Sequence, residues 1–158
     1  MDYSGDFNVY RNEMTQLLTY PDIDPQQWQA LIDRSPYATW FQTREAYEFY
    51  ASNPEEMIPF AFGALASIGD NAGDRLVGVC VGYITKEKSA LKQFFTRRAI
   101  IIGGPLLDEN ATDQDVEQLL HATVAELQSQ VIYVETRNFH DYSKWKEIFA
   151  ECGFDYIP

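Results

Sequence analysis

The run Ala99-Ile100-Ile101-Ile102 constrains the fold more than any other stretch, because it offers no polar face. A strand wetted on one side alternates apolar and polar residues, whereas one that is apolar on both faces is covered on both. The run therefore reads as a central strand between two layers. Two neighbours support that reading. Met57 to Ile68 and Arg75 to Thr85 are rich in Val, Ile, Phe and small residues. Between them, Gly69-Asp70-Asn71-Ala72-Gly73-Asp74 carries the turn chemistry of a hairpin.

Elsewhere the period is helical. Gln26 to Arg34 carries Trp28, Leu31 and Ile32 at helical spacing, with Asp24 as the cap and Pro25 as the first helical residue. A second helix starts at Thr43, gathers Ala46, Tyr47 and Tyr50 on one side, and closes at Asn53-Pro54. Val116, Leu119, Leu120, Val124 and Leu127 form an amphipathic stripe behind Thr112 or Asp113. Tyr142, Trp145, Ile148, Phe149 and Cys152 form another, which Gly153 ends. Short strands are expected at Phe7 to Tyr10, Val131 to Glu135 and Phe154 to Ile157. The order is strand, two helices, three strands, helix, strand, helix, strand. It fits one α/β domain over residues 1–158, a mixed sheet with helices on both faces. Three hairpin-linked antiparallel strands come first and two strand–helix crossovers follow.

Composition narrows the function classes. At 158 residues and 46% hydrophobic content the chain is long enough for one real core. Twelve basic against twenty-four acidic residues give a formal net charge of −12, which repels polyanions and argues against a stand-alone DNA or RNA binder. No apolar run reaches the roughly 18 residues of a membrane span. The first twenty residues lack a basic start followed by an apolar stretch, so no secretory signal is expected and the location reads as cytoplasmic. Cys80 and Cys152 each sit in an apolar pattern and read as reduced, packed thiols. No metal-ligand spacing and no Ser-His-Asp or Cys-His arrangement is present; His121 reads as a surface or boundary residue and His140 as a neighbour of a helix cap.

The order of elements resembles the GNAT acyltransferase fold. Four local words narrow the likeness: Trp40-Phe41-Gln42-Thr43, Ile102-Gly103-Gly104-Pro105-Leu106, Glu135-Thr136-Arg137-Asn138, and Phe149 with Gly153-Phe154-Asp155-Tyr156. In that order they resemble the first GNAT half of Fem-type (FemAB-like) peptidoglycan-bridge aminoacyltransferases and their relatives in bacterial polysaccharide loci. The resemblance implies a transferase that moves an acyl or aminoacyl group onto an amine of a cell-wall or polysaccharide precursor. It implies a donor that is aminoacyl-tRNA, engaged only through a second half. Fem-type chains carry two GNAT-like halves, and the first continues beyond its Gly-Phe-x-Tyr strand into a closing hairpin. On that pattern this chain is expected to be a fragment or a truncated reading frame, inactive alone. A second GNAT-like domain, another chain or a second copy would then meet an unfinished sheet edge. Two alternatives stand beside this: a non-catalytic domain acting through a partner or dimer, and an acetyl-CoA-dependent N-acetyltransferase.

The candidate site lies at strand ends. Gly103 and Gly104 close the central strand, where small residues let a substrate approach the backbone or simply turn the chain. Glu135, Arg137 and Asn138 end the next strand. Alternation puts Glu135 and Arg137 on one face, as a general base and an anion clamp or as an internal ion pair. An ordinary GNAT enzyme holds the acetyl-CoA pyrophosphate on a Gly-rich loop that opens a helix. Residues 103–115 carry no basic side chain, while Asp108, Glu109, Asp113 and Asp115 crowd the helix start, so no cofactor, acetyl-CoA included, is expected. Where many Fem relatives carry a basic residue for a phosphorylated substrate, this chain has Glu48, Phe49 and Tyr50, with only Arg44 basic nearby. Trp40-Phe41 and Tyr47-Phe49-Tyr50 could stack a sugar or base, but helical spacing favours core packing.

Overall fold

The computed structural model describes residues 15–67, 73–89, 91 and 96–157. Its elements are β1 (Gln16–Thr19), α1 (Pro25–Arg34), a 3-10 turn at Trp40–Gln42, α2 (Arg44–Ala51), β2 (Met57–Ser67), β3 (Asp74–Thr85), β4 (Arg98–Gly103), β5 (Leu106–Leu107), α3 (Asp113–Leu127), β6 (Tyr133–Asn138), a 3-10 turn at Ser143–Trp145 and α4 (Lys146–Glu151). The sheet runs β1-β2-β3-β4-β6, with β5 also on β3. Antiparallel pairing holds through β4, and β4 pairs with β6 in parallel from Arg98↔Tyr133 to Gly103↔Asn138. The sheet is therefore mixed, as the period change at residue 113 predicts. β1 and β6 are its two edges among the described residues.

Each layer follows from a pattern in the chain. Asp24 accepts from the Gln26 amide at 2.8 Å and starts α1, with Pro25 in the first turn. Trp28, Leu31, Ala46 and Tyr50 bury on one sheet face with Ala61, Leu76, Val79, Val81 and Leu106. On the other face Val116, Leu119, Leu120 and Leu127 of α3, with Trp145, Phe149 and Cys152, meet Cys80, Ala99 and Ile101. Ile100 and Ile101 are 2% and 0% exposed, so the doubly apolar run is covered on both faces.

Four expectations need correction. The strand at Phe154 to Ile157 does not form: no ladder partner lies beside it among the described residues, and Tyr156 and Ile157 are exposed. Only one strand–helix crossover is therefore made, from β4 through α3 to β6, and α4 leads to none. The next strand spans Tyr133–Asn138, two residues later than its apolar start at Val131; parallel pairing with the whole of β4 sets its length. The expected single run from Arg98 to Leu106 is broken at Gly104-Pro105. Phe7 to Tyr10 lies outside the described residues. The first described strand is instead the short Gln16–Thr19, which antiparallel pairing with β2 creates.

Candidate functional site

The break between β4 and β5 builds the site. On β3, Tyr83 faces Ile100 but Val79 faces Leu106. Four residues back on β3 thus match six forward on the other side, and two extra residues bulge out at Gly103-Gly104. Both adopt positive φ, +87° and +82°, which only glycine enters freely. Space forbids a side chain as well: a Cβ on Gly103 would lie 2.7 Å from Thr39 Oγ1, and one on Gly104 2.5 Å from Asn138 Oδ1 and 2.8 Å from Tyr142 Oη.

A bulge leaves carbonyls without ladder partners, and such groups need donors when buried. Gln42 supplies them from the 3-10 turn. Its Nε2 donates to the Gly103 and Gly104 carbonyls at 3.1 and 2.9 Å, while its Oε1 accepts from Thr39 N and Thr39 Oγ1 at 2.6 and 3.0 Å. All four hydrogen-bonding positions of the amide are used. From the other side Tyr142 Oη donates to the Pro105 carbonyl at 2.7 Å. Burial raises the Tyr142 phenol well above its ordinary range, so it stays a donor.

On the face of α1 and α2 the outer sheet is open. Ile100↔Glu135 and Ile102↔Arg137 share this face with Arg98 and Tyr133. Arg137 Nε donates to Glu135 Oε1 at 2.6 Å, and Arg98 Nη1 stands 3.7 Å from Glu135 Oε2 and 3.3 Å from Tyr133 Oη. The Tyr133 hydroxyl raises the Arg98 guanidinium above its ordinary value. Beyond the strand, Phe139 meets Phe41 edge-on at 5.7 Å; Phe41 meets Trp40 at 5.5 Å, and Trp40 meets Phe49 at 5.9 Å. Trp40, Phe49 and Phe139 are 50, 50 and 57% exposed. A charged floor thus ends at an aromatic wall where β4 and β6 finish, the place where open α/β sheets hold ligands.

The acidic loop has another use. Asp108 is only 2% exposed; its Oδ2 accepts from Arg34 Nε and from Arg75 Nη2, the latter at 2.5 Å, and its Oδ1 from the Asn110 amide at 2.9 Å. Burial pushes this carboxyl up, but the bonds from Arg34, Asn110 and Arg75 outweigh it and hold it below its ordinary value. At the start of α3, Thr112 Oγ1 accepts from the Asp115 amide at 3.2 Å, and Asp115 Oδ2 accepts from the Thr112 amide at 2.9 Å. That is a capping box with an aspartate in the usual glutamate place.

The residues expected at the site divide into two groups. Glu135 and Arg137 share the open face as an ion pair. Gly103, Gly104 and Asn138 sit behind it, where the glycines make the bulge and Asn138 packs against Gly104. Sequence reasoning assigned Trp40 and Phe49 to the core with Tyr47 and Tyr50. Tyr50 does bury, against Tyr83 at 4.8 Å, but Trp40 and Phe49 are half-exposed and meet each other edge-on. Gln42, Tyr142 and Asp108 carry buried polar bonds that no spacing announced. His121 is exposed and lies 3.8 Å from Glu117 one helical turn away, and His140 is exposed beside Tyr37. No group of three or more potential metal ligands occurs among the described residues, and no helix there is long and apolar enough to cross a membrane.

No protein-family model matches this chain, and no curated protein matches it. Two solved structures share its architecture. One is the crystal structure of a probable acetyltransferase, with a TM-score of 0.57 and 14% identity over 90% of this chain and 91% of that one. The other is a mutant form of TTHA1254 from Thermus thermophilus, with a TM-score of 0.55 and 14% identity over 89% and 91% of the two chains. At this identity the likeness is one of fold: the chain has a GNAT-like mixed α/β architecture.

Proposed function

We propose that this chain is the GNAT-like first half of a Fem-type transferase that moves an acyl or aminoacyl group from an activated ester onto an amine. The reaction needs little from side chains beyond placement. The amine lone pair attacks the ester carbonyl, the tetrahedral adduct expels the alcohol oxygen, and the amine proton leaves with it. The observation that carries this reading is the open floor of Arg98, Glu135 and Arg137, which runs along β4 and β6 to the Trp40–Phe41–Phe139 wall at their carboxyl ends. The fold shared with a probable acetyltransferase supports the transfer chemistry.

The start of α3 supports a donor other than acyl-CoA. A pyrophosphate there would seek free amides and a cation. Thr112 and Asp115 already bond each other's amides, Asp113 and Asp115 add negative charge, and Arg34 and Arg75 are committed to Asp108. These residues do not fit a pyrophosphate. Titration calorimetry with acetyl-CoA tests the point. No saturable heat at millimolar ligand is the expected result, and micromolar affinity would replace this reading with an acetyl-CoA-dependent N-acetyltransferase.

A second reading rests on a different observation. β6 is one of the two edge strands of the described sheet, and Ile132 and Tyr133 at its start are 57 and 48% exposed. A non-catalytic domain would use that edge to pair with a partner strand. Sedimentation across a concentration series, with and without a charge introduced by Ile132→Lys, separates it from the transferase reading.

A further inference from the structure

Arg98 and Arg137 bring two positive charges to the floor of the open face, and Glu135 between them brings one negative. One positive charge is left over, on a protein whose net charge is −12. A polyanion is repelled at long range and over-supplies charge locally, so the complementary ligand bears a single negative group. Arg137 offers it a planar fork, because its Nε alone is bonded to Glu135 while a guanidinium has five N–H donors. Two residues further on, just past the end of β6, Phe139 begins the aromatic wall with Phe41 and Trp40.

We propose that this shelf binds a monocarboxylate carried on an aromatic or bulky apolar group, the carboxylate on Arg137 and the apolar group on the Trp40–Phe41–Phe139 rings. An aromatic amino acid, free or at a peptide C-terminus, is the form that also carries an amine for transfer. Its role as acceptor rests on the transferase reading; its binding does not, and is measured with no donor present.

The molecule carries its own reporter. Trp28 and Trp145 are each 1% exposed and Trp40 is 50% exposed, so the Trp40 indole N–H resonance reads occupancy of the wall. The titration uses L-phenylalanine, with L-phenylalaninamide lacking the carboxylate, glycine lacking the ring, and phenyl phosphate as the other anion. L-Phenylalanine is expected to shift this resonance saturably at millimolar or lower concentration, ahead of the other three. Arg137→Gln weakens it at least about tenfold, as loss of a charged hydrogen-bonding partner does, and Arg137→Lys recovers part of the loss. Phe139→Ala, at an exposed position that does not support the core, weakens it roughly fivefold. Three results overturn the proposal: no shift by about 10 mM ligand, a range that admits even weak binding; amide and acid binding alike; or tighter binding of the phosphate. The acetyl-CoA titration fails or succeeds separately, so the two readings stand or fall apart.

Discussion

Gln42 Nε2, wholly buried, donates at 2.9 Å to the carbonyl of Gly104, 62 residues further along the chain. This contact fastens the 3-10 turn that carries Trp40 and Phe41 to the bulge that ends the central strand. It thereby sets the aromatic wall against the floor.

Replacing Gln42 with Leu leaves the Gly104 carbonyl and the Thr39 donors without that partner, and the Gly103 carbonyl with the Tyr142 hydroxyl at 3.2 Å in its place. Each unmet buried group costs about 1–3 kcal/mol, so denaturant unfolding should show a loss of roughly 3 kcal/mol. Collisional quenching of Trp40 should rise as the turn loosens. A loss below about 1 kcal/mol would mean that the turn is held by its apolar packing alone.

Gly104→Ala tests the bulge itself. The new Cβ meets Asn138 Oδ1 and Tyr142 Oη in a left-handed backbone, which should cost roughly 2 kcal/mol or more. Gly153→Ala is the control, for its φ is also positive, +87°, but nothing lies within 4 Å of its added Cβ. The control should lose only about 1 kcal/mol.

Asp108 makes stability depend on pH with a defined sign. Its folded pKa lies below the ordinary carboxylate value, so its contribution is complete above that value and is lost as pH falls toward the folded pKa. Thermal unfolding should weaken through the acid range in the native chain. Asp108→Asn should flatten that dependence and lower stability by about 1–3 kcal/mol near neutrality, where it removes the charged partner of Arg34 and Arg75. An unchanged acid limb in the variant would assign it to other carboxylates.

Glu135 and Arg137 answer a different test. Their pair is half open to water, and such pairs contribute about 0–1 kcal/mol. Glu135→Gln and Arg137→Gln should therefore fold with nearly native melting temperature while abolishing whatever transfer the intact protein performs. Unfolding of both variants would make the pair structural.

Burial pushes the Cys80 thiol up to about 12 and the Cys152 thiol to about 11. Neither should react with a disulfide reagent near pH 8 until denaturant is added, because the thiolate is the reactive form. Fast labelling of either in the folded chain would contradict this packing.

Much of the layer structure was legible because hydrophobic period is local information. The two-faced run at Ala99–Ile102, the stripe from Val116 to Leu127, the Asp24-Pro25 start and the Gly153 stop each depend on a few neighbouring residues, and all took the expected form. The pairing of Glu135 with Arg137 was legible for the same reason, since alternation along one strand puts them together. Other features depend on partners far along the chain. Whether Phe154 to Ile157 becomes a strand turns on having a ladder beside it. Whether Trp40 is core or surface turns on where the sheet stops being covered. Asp108 looked like one acid among several, and only the approach of Arg34 and Arg75 from distant elements makes it a buried clamp. Periodicity tells which face of an element is apolar; only tertiary structure decides which faces are covered and which polar atoms are thereby obliged to find one another.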